Sequence, residues 1–296
     1  MKRWSLAGMA VAAMCWAASA AAQQPQTIDV ARQRHAADSV LHVHVEYGAG
    51  HFALAAASPR ILYHVHLHYD ADRSVPERRF DPASDALSLR LRSREDRGRS
   101  VARAVGESRN RHARSDPNSM ALGVARGIPL DLTLDLGATE ARINLADLWL
   151  DHLELHGGAS DLQLAFGTPN PRHLRSIEIA GGAASIHIAG LGNANADRLE
   201  IHSGAADVDL DCSGAWTRNL QVDLTSALGD VTFHVPSDVG VRIQMTRVLS
   251  DFDHGGMRFT KRSGAEESDN WNSAPHRLTI DARSLLGSIA VHRTAS

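Results

Sequence analysis

The sequence predicts an all-β chain wound as a β-solenoid, a stack of parallel coils of about 21–24 residues with a terminal hairpin or loop excursion. The first observation is repetition. Leu132-Thr-Leu134-Asp-Leu136-Gly137-Ala138 is followed by Leu153-Glu-Leu155-His-Gly157-Gly158-Ala159, Ile177-Glu-Ile179-Ala-Gly181-Gly182-Ala183 and Leu199-Glu-Ile201-His-Ser203-Gly204-Ala205, with starts 21, 24 and 22 residues apart. The second is alternation. Counting the first apolar residue as 0, positions 0 and 2 are apolar, as are positions 9 and 11 (Ala141/Ile143, Leu162/Leu164, Ile186/Ile188, Val208/Leu210), so two short period-2 segments share each unit. The third is an aromatic content of 5%, which suits a narrow aliphatic interior. Four apolar side chains per coil, each contributing roughly 1.5–3 kcal/mol before entropy is subtracted, cannot hold one coil alone, so neighbours must stack.

Position 5 is always glycine. Gly48, Gly137, Gly158, Gly182 and Gly204 are read as structural turns, where glycine serves either a positive φ or the close approach of stacked backbones. Outward positions hold Thr133, Asp135, Glu154, His156, Glu178, Glu200 and His202, mostly polar.

In chain order, residues 1–22 read as a secretory signal peptide: Lys2 and Arg3, an apolar Leu6–Trp16, then Ala20-Ala-Ala22 before Gln23. The apolar run is too short for a membrane span, and Met14 before Cys15 does not suit acylation. The expected location is therefore periplasmic or secreted, with no transmembrane segment in the mature chain. That chain keeps one cysteine, Cys212, at an apolar-parity position, which predicts buried packing and no internal disulfide. Without Lys2 and Arg3, 29 basic side chains face 34 acidic ones, a net charge of −5 that does not point to nucleic acid.

Residues 23–39 form a polar lead with a weakly helical pattern, expected as a cap over the first coil. Val43-His-Val45-Glu-Tyr47-Gly48-Ala49 fits the repeat, with Phe52 and Leu54 at positions 9 and 11; Val65-His-Leu67-His-Tyr69 and Leu87-Ser-Leu89-Arg-Leu91 follow at 22-residue steps. An N-terminal β segment over 40–95 in the same or a similar stack is expected. Arg90 to Arg114 carries nine arginines against Glu95, Asp96 and Glu107; a linker over 96–127 and a patch for an anionic surface are both readings. A second β-solenoid region then spans 128–293. Within it, Leu220 to Phe233 forms a second coil type with a longer turn, copied by Leu278 to Val291 at an offset of 58 and more loosely from Val241. Gly255 to His276 is expected to be the excursion that covers an open end of the stack.

Two blocks carry a family resemblance. Val43 to Leu91, with Tyr47-Gly-Ala-Gly50, Tyr69 and Arg79-Phe80-Asp81, resembles the N-terminal domain of the bacterial toast-rack family. Ile128 to Val291, through Trp271-Asn-Ser-Ala-Pro-His-Arg-Leu-Thr-Ile-Asp281 and Leu286-Gly-Ser-Ile-Ala-Val291, is similar to the C-terminal β domain of LiaF-type and adhesin-like proteins. The resemblance implies a non-enzymatic envelope protein, linked to envelope stress or adhesion. The cleavable signal departs from LiaF itself.

Seventeen histidines invite a chemical reading. His42 and His44 alternate on one segment, and His64, His66 and His68 on the next; parallel stacking would place His42 beside His64 and His44 beside His66. Imidazoles about 4.5–5.5 Å apart on neighbouring strands can share Zn²⁺ or Cu²⁺, against the plainer reading of outward polar residues. His51 has no assigned place. Asp207, Asp209 and Asp211 lack the glycine pattern of calcium-binding repeats and read as a solvated strand face. No Gly-x-Ser-x-Gly, His-Glu-x-x-His or phosphate loop is present, and no cofactor is expected. Three functions therefore stand: an envelope scaffold or interaction module with an envelope protein or glycan as partner, a metal-binding module using the histidine ladder, and a carbohydrate-active β-helix enzyme.

Overall fold

The computed structural model describes residues 25–94 and 118–294. The expected signal segment and residues 95–117, which hold most of the Arg-rich stretch, lie outside the described residues.

Among the described residues the regular structure is β, with a 3-10 turn at Leu191–Asn193. The N-terminal part supplies β1 (Pro25–Gln33), β2 (Leu41–Ala56), β3 (Ile61–Asp70), β4 (Ser74–Asp81), β5 (Ala86–Ser93) and β6 (Ser119–Val124). Where a weakly helical lead was expected, β1 is a strand paired with β3. The central repeats are β7 (Pro129–Asn144), β8 (Trp149–Ala165), β9 (Leu174–Ala189) and β10 (Ala196–Asp211). The C-terminal part holds β11 (Leu220–Leu228), β12 (Val231–Pro236), β13 (Val239–Asp253), β14 (Phe259–Arg262), β15 (Ala265–Ser268) and β16 (His276–Thr294).

The repeat columns are the ladder register. Leu132 pairs with Leu153, Leu153 with Ile177 and Ile177 with Leu199, all in parallel. β2, β7, β8, β9 and β10 are each two legs joined at the Gly-Ala corner. In β7 the inward set is Leu130, Leu132, Leu134 and Leu136, then Thr139, Ala141 and Ile143, so buried parity slips by one residue across Gly137-Ala138. Such a slip exchanges the two faces of a strand, and it keeps both legs turned to one core as the chain rounds the corner. Buried Leu, Ile and Val from every rung join in one continuous cluster.

The glycine column has one explanation of the two. Positive φ is absent at Gly48, Gly137, Gly158, Gly182 and Gly204, which overturns the left-handed-turn alternative. Close approach is the reason instead at Gly137, Gly158, Gly182 and Gly204, whereas a Cβ on Gly48 would meet the Leu91 carbonyl oxygen at an ordinary 3.9 Å. A Cβ built on Gly137 would lie 2.0 Å from the Gly48 carbonyl oxygen, and one on Gly158 3.0 Å from that of Gly137. On Gly182 and Gly204 the corresponding distances are 3.1 and 2.9 Å, each to the previous glycine of the column. Positive φ appears in the longer-cornered coils, at Gly229 (121°) and Gly287 (134°).

At both ends, spatial order departs from chain order. β2 lies between β7 on one side and a rung composed of β5 and β6 on the other. β16 lies between the β11/β12 rung and β13. The copy seen at an offset of 58 is therefore a direct neighbour: Leu220 pairs with Leu278 and Val222 with Ile280. Leu87 joins the parallel stack as expected, beside Val43. Ser119–Val124, expected within the linker, form the second leg of that outer rung.

Val65 does not join in parallel. β3 runs antiparallel to β6 and to β1. Its apolar alternation copies the repeat, but Asp70-Ala71 stands where Gly-Ala should, and the chain reverses there with Arg73 N–H donating to the Asp70 carbonyl. Without a corner there is no second leg; β4 instead returns as a hairpin along β5. The excursion at the other end forms the β14–β15 hairpin, which meets β13 at Arg242–Glu267 and Ile243–Glu266. Both flanks are thus covered by antiparallel strands, the means expected for protecting sheet edges.

Candidate functional site

The outward face of the first legs is where charged and imidazole side chains gather. Its geometry does not assemble the predicted four-histidine site. His42 and His44 lie on the first leg of β2, whereas β3 carries His64 and His66 past β6, opposite Gly123 and Ala121. Those two β6 residues in turn face Ala55 and Ala53 on the second leg of β2. The cause is the antiparallel course of β3, with β6 inserted between it and β2.

Each predicted histidine meets a carboxylate instead of another imidazole. His42 Nδ1 is 2.8 Å from Asp131 Oδ2, across the β2–β7 ladder. His44 Nε2 is 3.2 Å from Glu46 Oε1 and 3.5 Å from Asp135 Oδ2. His64 Nε2 and His66 Nδ1 share Asp29, at 2.8 Å to Oδ1 and 3.0 Å to Oδ2. Hydrogen bonds from His64 and then His66 hold the Asp29 carboxyl below the usual carboxylate range. His68 pairs with Thr27, and His51 lies 3.0 Å from Glu140.

The row continues inward along the stack. Asp135 Oδ1 is 2.8 Å from His156 Nδ1, whose Nε2 lies 3.2 Å from Glu154 Oε1. Arg90 Nη2 donates to Glu46 Oε1 at 2.9 Å from the other side. Beyond it, Glu154, Glu178, Glu200, Asp223 and Asp281 stand in register on five adjacent strands. Repulsion along such a row is relieved by neighbours one residue pair away: Arg198 lies 3.4 Å from Glu200 and 3.1 Å from Asp223, and Ser176 Oγ donates to Glu178.

Sequence reasoning missed the carboxylates Asp29, Glu46, Asp131 and Asp135. A signal for two of them was present: Glu46, Asp135 and His156 all occupy position 3 of their units, so column alignment puts them side by side. Asp29 lies on β1, outside the repeat, and no column carries it. A second group was also missed. Asp209 lies between His187 (3.6 Å) and His234 (3.4 Å), and His234 stacks on His292 with ring centroids 5.8 Å apart. Cys212 is wholly buried, and that burial, with Asp211 nearby, pushes its thiol pKa up, so it packs and does not react.

A family model described as the N-terminal domain of toast_rack, DUF2154, matches residues 19–189, more than half of the chain. The chain belongs to the toast-rack family. The toast-rack match runs from before β1 through β9, well past the Val43–Leu91 block that first suggested it. Among solved structures, a "putative cell adhesion protein" of Clostridium sporogenes is 13% identical, with a TM-score of 0.47, 92% of this chain and 100% of that chain covered. A "putative adhesin" of Parabacteroides merdae is 7% identical, with a TM-score of 0.34 and coverages of 92% and 96%. One of Bacteroides fragilis is 8% identical, with a TM-score of 0.31 and coverages of 90% and 97%. No curated protein matches. Among the described residues, no helix is long and apolar enough to cross a membrane.

Proposed function

We propose that this toast-rack chain is a non-enzymatic scaffold or interaction module of the cell envelope, periplasmic or secreted, whose partner is an envelope protein or glycan. The observation that carries the reading is the outward array. Side chains at fixed coil positions recur at the strand spacing of about 4.8 Å, while their identities change from coil to coil. A rigid ladder with a varied face fits recognition along an extended partner better than chemistry at one point. Apolar contact is available on the same rods: Leu228 and Leu286 are exposed on neighbouring strands. Leu228 ends a shallow groove of about 440 Å³ whose lining includes Ala159, Ala183 and Ala205. The charged start, short apolar middle and small residues of segment 1–22 support export.

The test is fractionation of cells expressing the tagged full chain, followed by formaldehyde crosslinking and recovery of adducts from the envelope. Export with discrete adducts is expected. A chain confined to the cytoplasm, or turnover of envelope glycans by the purified protein, would overturn the reading.

A further inference from the structure

We propose that the face formed by β2 and β7 binds one divalent transition ion of the zinc type through His44 Nε2, Glu46 Oε1 and Asp135 Oδ2. His156 sets the orientation of Asp135. The proposal goes beyond the scaffold reading and stands independently of it.

Among the described residues, this is the group whose three donor atoms lie within 4.8 Å of one another. A tetrahedral zinc ion with bonds of about 2.0–2.1 Å sets its ligand atoms about 3.4 Å apart. The 3.2 Å from His44 to Glu46 and 3.5 Å from His44 to Asp135 match two edges of that tetrahedron. The backbone makes the arrangement. Glu46 follows His44 by two residues on one face of β2, and Asp135 is the register partner of Glu46 on β7. At His44's own level the neighbours are Ser88 and Thr133, short side chains that supply no competing charge. By contrast, Asp29 spends its two oxygens on two different histidines, so His64 and His66 are not gathered round a third donor atom.

The donor chemistry chooses the ion class. One imidazole nitrogen with two carboxylate oxygens suits zinc and its transition-metal neighbours, whereas magnesium and calcium favour oxygen alone. All three side chains are half-buried, which leaves a fourth position open to solvent. His156 Nδ1 holds Asp135 Oδ1, the oxygen that does not face His44, and Glu154 holds the far side of that ring. This is the outer-shell support that metal-binding carboxylates ordinarily need.

Charge sets the affinity. Arg90 on β5 donates to the same Glu46 oxygen that would bind the ion, so the guanidinium must withdraw on binding. Around the site stand Arg90, Glu46, Asp135, His156 and Glu154, with the His42–Asp131 pair one row away. Removing Arg90's charge should tighten zinc by about tenfold.

The test is calorimetry of the mature chain, stripped of metal, against ZnCl₂ at pH 7.5, with Co²⁺ absorption as an independent readout of ligand geometry. One site filled at micromolar zinc is expected. His44→Ala and Asp135→Asn should each weaken it by at least about a hundredfold, His156→Gln by about tenfold, and Arg90→Gln should tighten it. The His64→Ala/His66→Ala double variant should bind as the wild type does. Circular dichroism confirms that each variant folds; should His44→Ala not fold, Asp135→Asn with the Co²⁺ spectrum decides. No zinc binding at micromolar concentrations, or binding that survives in the folded Asp135→Asn variant, would overturn the proposal. So would binding lost only in the His64/His66 variant.

Discussion

Alanine in place of Gly137 should be far more damaging than the same change at Gly182, although both occupy position 5 of their coils. A Cβ on Gly137 meets the Gly48 carbonyl oxygen at 2.0 Å, against an ordinary carbon–oxygen contact of about 3.3 Å, so the β2–β7 rungs must part locally by more than about 1 Å. Paired residues flank the contact on both sides, Tyr47 with Leu136 and Ala49 with Ala138, so the backbone cannot yield without weakening ladder hydrogen bonds. Overpacking together with such losses should cost about 2–4 kcal/mol. At Gly182 the distance is 3.1 Å, which a shift of a few tenths of an ångström relieves, so a cost under about 1 kcal/mol follows. Urea unfolding followed by circular dichroism, with hydrogen exchange at the β2–β7 and β8–β9 junctions to localise the loss, measures both. Equal losses at the two positions, or no loss at Gly137, would refute the stacking argument.

Cys212 should resist a water-soluble thiol reagent in the native state and react fully once the chain is unfolded, since its side chain is buried and its thiol raised; rapid native labelling would contradict the packing. Asp29 predicts a pH dependence. Its folded pKa is lowered from the ordinary 3.8, so its contribution is present above that value and is lost as pH falls through the lower folded one. The difference in melting temperature between wild type and Asp29→Asn should therefore shrink toward zero below about pH 4. A difference that stays constant through acid would remove the His64–Asp29–His66 contribution.

Much of the stack was legible because burial repeats with the coil. Leu132, Leu153, Ile177 and Leu199 share a column in the sequence and pair in space, and the 58-residue copy from Leu220 to Leu278 marks true neighbours. Strand direction was not legible. A period of two tells which face a residue takes but is the same for parallel and antiparallel strands, so His64 and His66 keep their expected strand but neighbour β1 and β6 and not His42 and His44. The missing corner glycine at Asp70-Ala71 was the local sign of that reversal. The candidate site was half visible. His44 was singled out, but its partners Glu46 and Asp135 emerge only when units are aligned by column and not by chain order. The 58-residue copy marks β16 as a neighbour of the β11/β12 rung, but nothing in local pattern says that β13 is displaced to its far side, because the interior columns accept any rung of the right parity.

The central claim is a parallel, in-register stack whose last strand is threaded between earlier ones, and engineered disulfides test it most directly. Gln221 and Arg242 each face Thr279 in register on opposite sides of β16. Adjacent strands place Cα atoms about 4.8 Å apart, within disulfide reach, whereas strands two apart lie about 9.6 Å away, beyond the limit of about 7 Å. Gln221→Cys/Thr279→Cys and Arg242→Cys/Thr279→Cys should each oxidise readily in the folded protein, and Gln221→Cys/Arg242→Cys should not. Rapid oxidation of the Gln221/Arg242 pair, with Gln221/Thr279 remaining reduced, would mean that the rungs stack in chain order and would contradict the fold described.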